Sequence, residues 1–287
     1  MTSTVKTLGV IGAGQMGNGI AQVAAQAGYT VLCTDISEAS LEKGRATVQQ
    51  SLARLVKKEK LTQALADEAL ARITFAKDTQ VLAKADFIVE AATESESLKK
   101  KIFADADKIA RPGVILASNT SSISITRLAA GTSRPEQFVG MHFMNPVPVM
   151  QLVELIRGLR TSDETYRITR ELAERMGKTC TVSRDFPGFI ANRILMPMIN
   201  EAFCALEQSI GTPEDIDTTM KLGANHPMGP LALADLIGLD TCLAIMEVLH
   251  TQFGDSKYRP AALLRQYVDA GLLGRKTNRG VFTYEGK

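Results

Sequence analysis

Three histidines occur in the 287-residue chain, so the candidates for an acid–base group that works near neutral pH are few. His250 lies in a segment with helical apolar spacing, which is typical of a helix surface. His226 precedes a proline in a predicted turn, which favours a structural role. His142 ends the β-rich run 138–141. Because α/β sheets bind ligands at the carboxyl ends of strands, His142 is the candidate acid–base residue.

A carboxylate that could pair with His142 follows 12 residues later, at Glu154 in the β-rich run 151–156. A carboxylate flanked by valine and leucine in a strand is unusual unless it is paired. If the proline-containing loop 146–148 joins two adjacent strands, the two side chains meet. The carboxylate would then fix the imidazole tautomer and raise its basicity. From the residues alone, a structural histidine and an unrelated salt bridge remain the alternative.

A glycine-rich turn with GxGxxG spacing consists of Gly12, Ala13, Gly14, Gln15, Met16 and Gly17. It follows an apolar run and opens a segment with helical spacing, which is the context that a dinucleotide site requires. The glycines allow a tight turn, approach of a pyrophosphate and close helix–strand packing. The helix N-terminus offers N–H groups to the phosphates. S-adenosylmethionine enzymes share part of this pattern, and a glycine turn without a ligand is the other alternative.

The choice between NAD and NADP depends on Asp35, which ends the next β-rich run, 29–34. A carboxylate at this position can accept hydrogen bonds from the adenosine ribose and would repel a 2′-phosphate. Ile36 and Ser37, which follow, offer no arginine for that phosphate. The sequence therefore predicts NAD as the cofactor.

These side chains require a scaffold of alternating strands and helices, and the first two thirds of the chain have that pattern. The β-rich runs after the first βαβ unit are 87–92, 114–118, 138–143 and 150–156, with helical segments at 41–70 and 97–109. Such alternation predicts an α/β Rossmann domain with a doubly wound, mostly parallel sheet. The breaker cluster Asp185–Gly188 marks its end. We expect this domain at 1–185 and a smaller all-α domain at 186–287, where Pro197 kinks or starts the first helix.

Composition narrows the possible partners. The 33 Lys and Arg against 31 Asp and Glu give a net charge of +2, so no nucleic acid or membrane surface is expected as a partner. No segment approaches the roughly 18 apolar residues of a membrane span, and Met1–Thr7 is too polar for a secretion signal. We therefore expect a cytoplasmic protein without a metal site and with reduced, buried cysteines. These are Cys33, Cys180, Cys204 and Cys242.

With these motifs in place, the chain resembles the 3-hydroxyacyl-CoA dehydrogenase family over nearly its whole length, and most of all the bacterial 3-hydroxybutyryl-CoA dehydrogenases. The matching stretches are GVIGAGQMG, SNTSS at 118–122, GMHFMNPVPVMQLVELIRG at 140–158, PGFIANRI at 187–194, MKLGANHPMGPLALADLIGLD at 220–240 and GRKTNRGVFTY at 274–284. The resemblance implies an NAD-dependent oxidoreductase that interconverts 3-hydroxyacyl-CoA and 3-oxoacyl-CoA.

The resemblance also implies a set of catalytic residues. His142 and Glu154 match the family's dyad, Ser121 matches the serine of SNTSS, and Asn192 matches the asparagine that follows PGF. His142 would take the 3-hydroxyl proton in oxidation and return it in reduction. Ser121 and Asn192 would hydrogen-bond substrate oxygens and orient the thioester. Further implied cofactor contacts are Glu94, Lys99, Asn145 and Lys276.

A basic helical segment at 52–60, LARLVKKEK, has two interpretations. Its apolar and basic alternation is typical of any solvated amphipathic helix. The family's coenzyme A contacts match Ser51 and Lys58, and Arg54 lies one turn before Lys58 on the same face. The resemblance therefore implies a clamp for the coenzyme A phosphates.

Two other functions remain in competition. One is a binding protein that kept the fold and the NAD site but lost activity, and the intact set of four polar residues argues against it. The other is a two-domain NAD enzyme with a lysine as acid–base group, which the His–Glu pair does not fit. The resemblance favours a homodimer through the C-terminal domain, although Met198, Ala202, Ala205 and Leu206 could equally be intrachain core. Acyl chain length and physiological direction are not determined by the sequence.

Overall fold

The computed structural model describes residues 5–284. It divides into two units, Met1–Phe186 and Pro187–Lys287. The expectation that Met1–Thr7 is no secretion signal rests partly on residues 1–4, which lie outside the described residues. Within the described part of the chain, no helix is both long and apolar enough to cross a membrane.

One sheet runs through the first unit in the order β3-β2-β1-β4-β5-β6-β7-β8. Its strands are β1 (Thr7–Ile11), β2 (Thr30–Thr34), β3 (Ile73–Ala76), β4 (Phe87–Glu90), β5 (Ile115–Ser118), β6 (Phe138–Phe143), β7 (Leu152–Arg157) and β8 (Thr179–Arg184). Among residues 5–186, neighbouring strands are parallel except for β6 and β7, which are antiparallel. The predicted fold class, a doubly wound and mostly parallel sheet, is confirmed for this unit.

The strand order places a crevice at one edge of the sheet. From β1 the chain builds outward through β2 and β3, and it then returns to β4 on the other side of β1. The order therefore reverses between β1 and β4, and α/β sheets bind ligands beyond the carboxyl ends of the strands at such a point. The inner strands β4 and β5 are buried throughout, as expected for strands whose two faces are covered by helices.

The helices of the first unit are α1 (Gln15–Gln26), α2 (Glu38–Lys57), α3 (Gln63–Ala71), α4 (Glu96–Ile109), α5 (Ile125–Ala129) and α6 (Asp163–Arg175). Ser37, Thr62 and Ser162 cap α2, α3 and α6, each side chain accepting a hydrogen bond from a backbone N–H three residues later. By contrast, α1 begins after Gly14, which has no side chain to cap the backbone N–H groups of the first turn. Its N-terminal N–H groups are therefore suited to an anionic ligand.

The sequence pattern does not predict the two edge strands, β3 and β8. At β8 most residues are exposed, so the apolar alternation that identifies a strand is weak. At β3 the strand is four residues long and only Ile73 is fully buried. The two strands of the predicted β6–β7 hairpin are present, with β7 beginning at Leu152.

The second unit is helical, with α7 (Ala191–Glu207), α8 (Pro213–Gly223), α9 (Pro230–Ile237), α10 (Leu239–Phe253) and α11 (Ala262–Asp269). Its core includes Phe203 of α7, Leu231 of α9 and Met246 of α10. Pro197 lies inside α7 and does not start it. Of the residues that could form core or dimer surface, Ala202 belongs to this core and Leu206 packs against it.

The cysteines are free, but only two of them are fully buried. Cys33 and Cys242 lie in the cores, where burial raises the pKa of each thiol to about 12. Cys180 and Cys204 are half-buried, so the expectation of four buried thiols is wrong for this pair. Cys180 lies on the edge strand β8, which explains its partial exposure.

Candidate active site

The glycine turn connects the end of β1 to α1. Gly12 has a φ of +102°, and a Cβ atom there would lie 2.8 Å from the Ala91 carbonyl oxygen. Its N–H donates to the Thr34 carbonyl at 2.7 Å, which ties the turn to β2. A Cβ at Gly17 would lie 1.7 Å from the Gly12 carbonyl oxygen, so only glycine allows α1 to approach this closely.

Asp35 braces the same turn. Its Oδ2 accepts a hydrogen bond from the Ala13 N–H and its Oδ1 accepts one from the Ser37 N–H, both at 2.9 Å. A carboxylate has about four acceptor positions, so two remain for ribose hydroxyls. The neighbouring Ile36 is largely exposed but carries no charge, so the Asp35 carboxylate is the charged group at this end of the turn.

The turn and Asp35 open into a cavity of about 730 Å³ within the first unit. Its lining includes Gly12, Gly14, Asp35, Ala91, Leu98 and Ile102. A Cβ atom added at Gly14 would meet no atom within 4 Å, so the space beside this backbone is open. This space is bordered by three kinds of group: apolar side chains suited to an adenine ring, a carboxylate suited to its ribose and an uncapped helix N-terminus suited to its phosphates. These residues fit the adenosine diphosphate half of NAD.

The predicted dyad is formed by the hairpin β6–β7. In the antiparallel register His142 lies directly opposite Glu154, and Nδ1 of the imidazole is 2.8 Å from Oε2 of the carboxylate. His142 is 7% exposed and Glu154 is 1% exposed. When Glu154 accepts the hydrogen bond from Nδ1–H, Nε2 becomes the basic nitrogen of the ring, so the pair can act as an oriented general base.

Ser121 is held by Glu94, so two predicted site residues are brought into direct contact. Glu94 Oε1 accepts hydrogen bonds from the Ser121 N–H at 2.9 Å and from the Thr120 hydroxyl at 2.6 Å. Ser122 donates to the same oxygen through its N–H and its hydroxyl, both at 3.1 Å. Burial opposes ionisation of Glu94, but the charge of Lys99 and these hydrogen bonds outweigh it and hold the pKa of the carboxyl below its usual value.

Lys99 lies beneath the surface rather than on it. The side chain is 1% exposed, and its ammonium group lies 2.6 Å from Glu90 Oε1 and 3.5 Å from Glu94 Oε2. It also donates to the Ala92 carbonyl at 3.1 Å. In this arrangement Lys99 contacts the carboxylates directly, so we expect it to influence a cofactor through Glu94.

Asn145 links the dyad hairpin to the glycine turn. Its Oδ1 accepts a hydrogen bond from Gln15 Nε2 at 3.1 Å, and both side chains are exposed. Met16, the next residue of α1, packs against the core of the unit. Asn119 Oδ1 accepts from the Phe143 N–H at 2.9 Å, which fixes the end of β6 to the loop that carries Ser121.

Lys178 anchors the loop between β6 and β7. Its ammonium group donates to the carbonyls of Val147 and Met150, at 2.5 and 2.8 Å. Val147 is buried, and a Cβ atom at Gly19 of α1 would lie 2.8 Å from the Val147 Cβ. Burial lowers the pKa of Lys178. The loop is thus fixed between α1 and Lys178.

The predicted coenzyme A residues lie on the outer face of α2. Ser51 is half-buried, while Arg54 and Lys58 are exposed one turn apart at the carboxyl end of the helix. Arg54 Nε donates to the Gln50 carbonyl at 3.3 Å, which leaves the guanidinium on the surface. The structure is compatible with a phosphate clamp and with a solvated helix face.

Asn192 and Lys276 belong to the second unit. Asn192 lies in the first turn of α7, after Gly188 and Phe189, which have φ values of +78° and +51°. A buried aromatic residue in this left-handed region is uncommon and favours a constrained, functional turn. Lys276 pairs with Asp240 at the start of α10. The segment that carries it is held by the buried Asp235, which accepts from Val281, Phe282 and Tyr284.

The remaining histidines have structural positions. The backbone N–H of His226 donates to the Met220 carbonyl at 3.2 Å in the turn after α8, and His250 is half-buried in the last turn of α10.

Sequence reasoning missed Glu90, Asn119 and Lys178. Glu90 carries the same signal that identified Glu154, a carboxylate next to apolar residues in a buried strand. Asn119 and Lys178 act through contacts with residues far away in the sequence, so no local pattern identifies them.

Comparison with known proteins adds family information to this geometry. Residues 7–186 match the family model described as "3-hydroxyacyl-CoA dehydrogenase, NAD binding domain", and residues 188–284 match its "C-terminal domain". The chain is 56% identical over 286 residues to a 3-hydroxybutyryl-CoA dehydrogenase of Bradyrhizobium diazoefficiens, covering 100% of this chain and 98% of that one. A probable 3-hydroxybutyryl-CoA dehydrogenase of Deinococcus radiodurans is 58% identical over 276 residues, covering 96% and 99%. The crystal structure of (S)-3-hydroxybutyryl-CoA dehydrogenase from Ralstonia eutropha superposes with a TM-score of 0.96 at 58% identity, covering 99% and 100% of the two chains.

Proposed function

Because the chain belongs to the 3-hydroxyacyl-CoA dehydrogenase family, an NAD-dependent enzyme family, we propose that it interconverts 3-hydroxybutyryl-CoA and acetoacetyl-CoA. The four-carbon acyl group is supported by relatives with this name at 56% and 58% identity. The observation that carries the proposal is the 2.8 Å contact between His142 Nδ1 and Glu154 Oε2 near the carboxyl end of β6.

The protein's part in the reaction is proton transfer at C3 of the substrate. Bound NAD supplies the hydride acceptor for oxidation and, when reduced, the hydride donor for reduction. In our proposal, His142 Nε2 accepts the 3-hydroxyl proton during oxidation and returns it during reduction. Glu154 holds Nδ1–H and stabilises the positive charge that develops on the ring when Nε2 takes the proton. Because both side chains are nearly excluded from water, this stabilisation is stronger than it would be at the surface.

Ser121 and Asn192 are the proposed contacts to substrate oxygens. The Ser121 loop is pre-organised by Glu94, so its donors lose little freedom when a substrate binds. Asn192 lies in the first turn of α7, whose entry is fixed by the left-handed Gly188 and Phe189. Fixed donors of this kind orient the thioester and stabilise negative charge on a carbonyl oxygen.

Binding of the two large ligands is assigned to separate surfaces. The proposed NAD contacts are the glycine turn, Asp35, Glu94, Asn145 and Lys276, and the buried Lys99 acts on the cofactor through Glu94. Ser51, Arg54 and Lys58 are the proposed coenzyme A contacts, supported by the exposure of the two basic side chains on one face of α2. A homodimer through the C-terminal helices and a cytoplasmic location stay predictions, and light scattering tests the first of them.

The experiment that tests the proposal follows NADH absorbance after addition of acetoacetyl-CoA to purified protein, in parallel with NADPH. We expect rapid oxidation of NADH and slow oxidation of NADPH. A series of longer 3-oxoacyl-CoA esters tests the acyl length, and a higher kcat/KM for a longer ester would replace the four-carbon assignment. No oxidation with any ester, while NADH still binds, would favour the inactive binding protein.

A further inference from the structure

Glu90 is a carboxylate at the end of β4 that is completely buried, with an exposure of 0%. Its Oε1 accepts hydrogen bonds from the Ala92 N–H and from the Lys99 ammonium group, both at 2.6 Å. Its Oε2 accepts a hydrogen bond from the Ser118 hydroxyl at 2.7 Å. These three donors stabilise the buried carboxylate, because removing water from a carboxylate without such partners is strongly unfavourable.

The charge of Lys99 is shared between two carboxylates at different distances. Glu90 is in contact at 2.6 Å, whereas Glu94 Oε2 lies 3.5 Å away. The closer partner balances most of the buried positive charge. Glu94 is therefore not drawn into full contact with the ammonium group, and its side chain stays partly exposed, at 38%.

The position of Glu94 decides the position of the Ser121 loop. Glu94 Oε1 is within hydrogen-bond distance of donors from three successive residues, Thr120, Ser121 and Ser122. If Glu94 moved toward Lys99, this oxygen would leave the loop, because the same short side chain carries both contacts. The buried pair thus controls the geometry of Ser121 through Glu94.

We propose that Glu90 is a positioning residue for the dehydrogenase reaction, because its contact with Lys99 keeps Glu94 in place to hold the Ser121 loop. Because Glu90 has no exposed surface, its effect on substrate or cofactor would pass through Lys99 and Glu94. The inference rests on the proposed function, which assigns Glu94 to the cofactor and Ser121 to the substrate. It also explains why a carboxylate is tolerated inside a central strand at the point where the strand order reverses.

The chain offers a matched control for a purely structural ion pair. Asp107 Oδ1 and Arg134 Nε are 2.6 Å apart, and each side chain is 12% exposed. This pair also joins α4 to a later loop, through further hydrogen bonds from Arg134 to the carbonyls of Asp107, Ala110 and Arg111. Within residues 5–284, the further hydrogen bonds of this pair go to Ser133 and to backbone carbonyls of residues outside the predicted site. Asp107→Asn therefore weakens the same unit without acting on Glu94.

The test variant is Glu90→Gln, which keeps the side-chain shape. The amide oxygen still accepts from Ala92 and Lys99, and the Ser118 hydroxyl can accept from the amide nitrogen, so the main loss is the charge. We expect kcat/KM for acetoacetyl-CoA to fall about tenfold and the NADH dissociation constant to rise about threefold. Asp107→Asn should change kcat/KM and the NADH dissociation constant by less than about twofold, even if its melting temperature falls as much as that of Glu90→Gln.

Two results would overturn the inference. One is a Glu90→Gln variant whose kcat/KM and NADH affinity both equal those of the wild type. The other is an Asp107→Asn variant with the same losses at the same decrease in melting temperature. NADH affinity is measured by fluorescence without substrate, so it tests Glu90 even if wild-type protein does not reduce acetoacetyl-CoA. In that case the proposed function fails, and the NADH affinity of Glu90→Gln still tests the positioning role.

A milder variant covers the case in which Glu90→Gln does not fold. Ser118→Ala leaves both charges and removes two hydrogen bonds of the hydroxyl, the one it donates to Glu90 Oε2 at 2.7 Å and the weaker one it accepts from the Thr120 N–H at 3.3 Å. We expect a loss of about threefold in the same kcat/KM, and an unchanged value would contradict the positioning role.

In the double variant Glu90→Gln/Lys99→Met, the two effects should be less than additive, because Glu90 acts through Lys99. Additive losses would contradict that route.

Discussion

Replacement of Glu154 by glutamine tests the His142–Glu154 pair, since the variant keeps the side-chain size and removes the charge. The two groups are 2.8 Å apart and almost excluded from water. At an effective dielectric constant of about 20 and a charge separation of about 4 Å, an imidazolium–carboxylate pair is worth about 4 kcal/mol. A neutral hydrogen bond to glutamine would return about 1 kcal/mol. The remaining 3 kcal/mol, roughly, corresponds to a loss on the order of a hundredfold.

The loss should appear mainly in kcat for the oxidation of 3-hydroxybutyryl-CoA by NAD. In that direction the charge on His142 develops as the ring takes the proton, so the attraction to Glu154 is stronger in the transition state than in the bound ground state. We expect KM for 3-hydroxybutyryl-CoA and the NAD dissociation constant to change little. Steady-state turnover gives the magnitude. Substrate deuterated at C3 should show a larger isotope effect in Glu154→Gln, because the chemical step becomes rate-limiting.

A buried carboxylate elsewhere provides the control. Asp217 is 7% exposed and accepts hydrogen bonds from the Leu231 and Ala232 N–H groups at the start of α9. Asp217→Asn should lower the melting temperature and keep kcat within about twofold of wild type. The dyad reasoning is refuted if Glu154→Gln keeps kcat within about threefold of wild type, or if Asp217→Asn loses as much turnover.

Three further predictions concern binding and pH. Asp35→Asn should narrow the kcat/KM preference for NADH over NADPH about tenfold, since it removes the charge that repels a 2′-phosphate; an unchanged ratio would assign the preference to another group. Lys58→Ala should raise KM for the CoA ester about threefold at unchanged kcat, whereas the neighbouring control Lys57→Ala should leave KM unchanged. Equal effects of the two variants would mean that the CoA ester responds to the general positive charge of this surface and not to a phosphate clamp at Lys58. Because the pKa of Glu94 in the folded state is below its usual value of 4.5, the unfolded chain binds more protons between the two values, and stability rises with pH there. This contribution is complete above pH 4.5 and is lost as the pH falls through the lowered value, so the acid decline in melting temperature should be shallower in Glu94→Gln than in wild type; parallel curves would contradict the assignment.

The family and the fold class were predictable from the sequence because their signals are local. The glycine turn, the apolar inner strands and the helical periodicity each occupy short segments, and the comparisons confirm the family. The edge strand β8 was not predictable because most of its side chains are exposed, and β3 was not predictable because four residues are too few to show a strand periodicity. Pro197 was misleading as a start signal, since the helix continues through it from Ala191.

The site shows the same division between local and distant signals. Glu154 was found because a carboxylate in an apolar strand implies a partner, and His142 was near in sequence. Glu90 has the same environment, but its partner Lys99 lies on the following helix, where a lysine looks like ordinary surface charge. Lys178 contacts a loop 28 to 31 residues away, so no spacing rule could identify it.

The antiparallel register of β6 and β7 limits how the connecting segment 144–151 can change. Successive side chains of a strand point to opposite faces, so a slip of the β6–β7 pairing by one residue would turn Glu154 away from His142. A slip of two residues would restore the face but shift the carboxylate by about 7 Å along the strand. Val149 and Met150 at the tip are exposed, and Lys178 holds this loop through main-chain carbonyls alone. Val149 and Met150 are therefore open to substitution, whereas Asn145 and the buried Val147 are held by their contacts with α1. A change in the length of the segment is compatible with the dyad only where the loop absorbs it without moving the pairing of the strands.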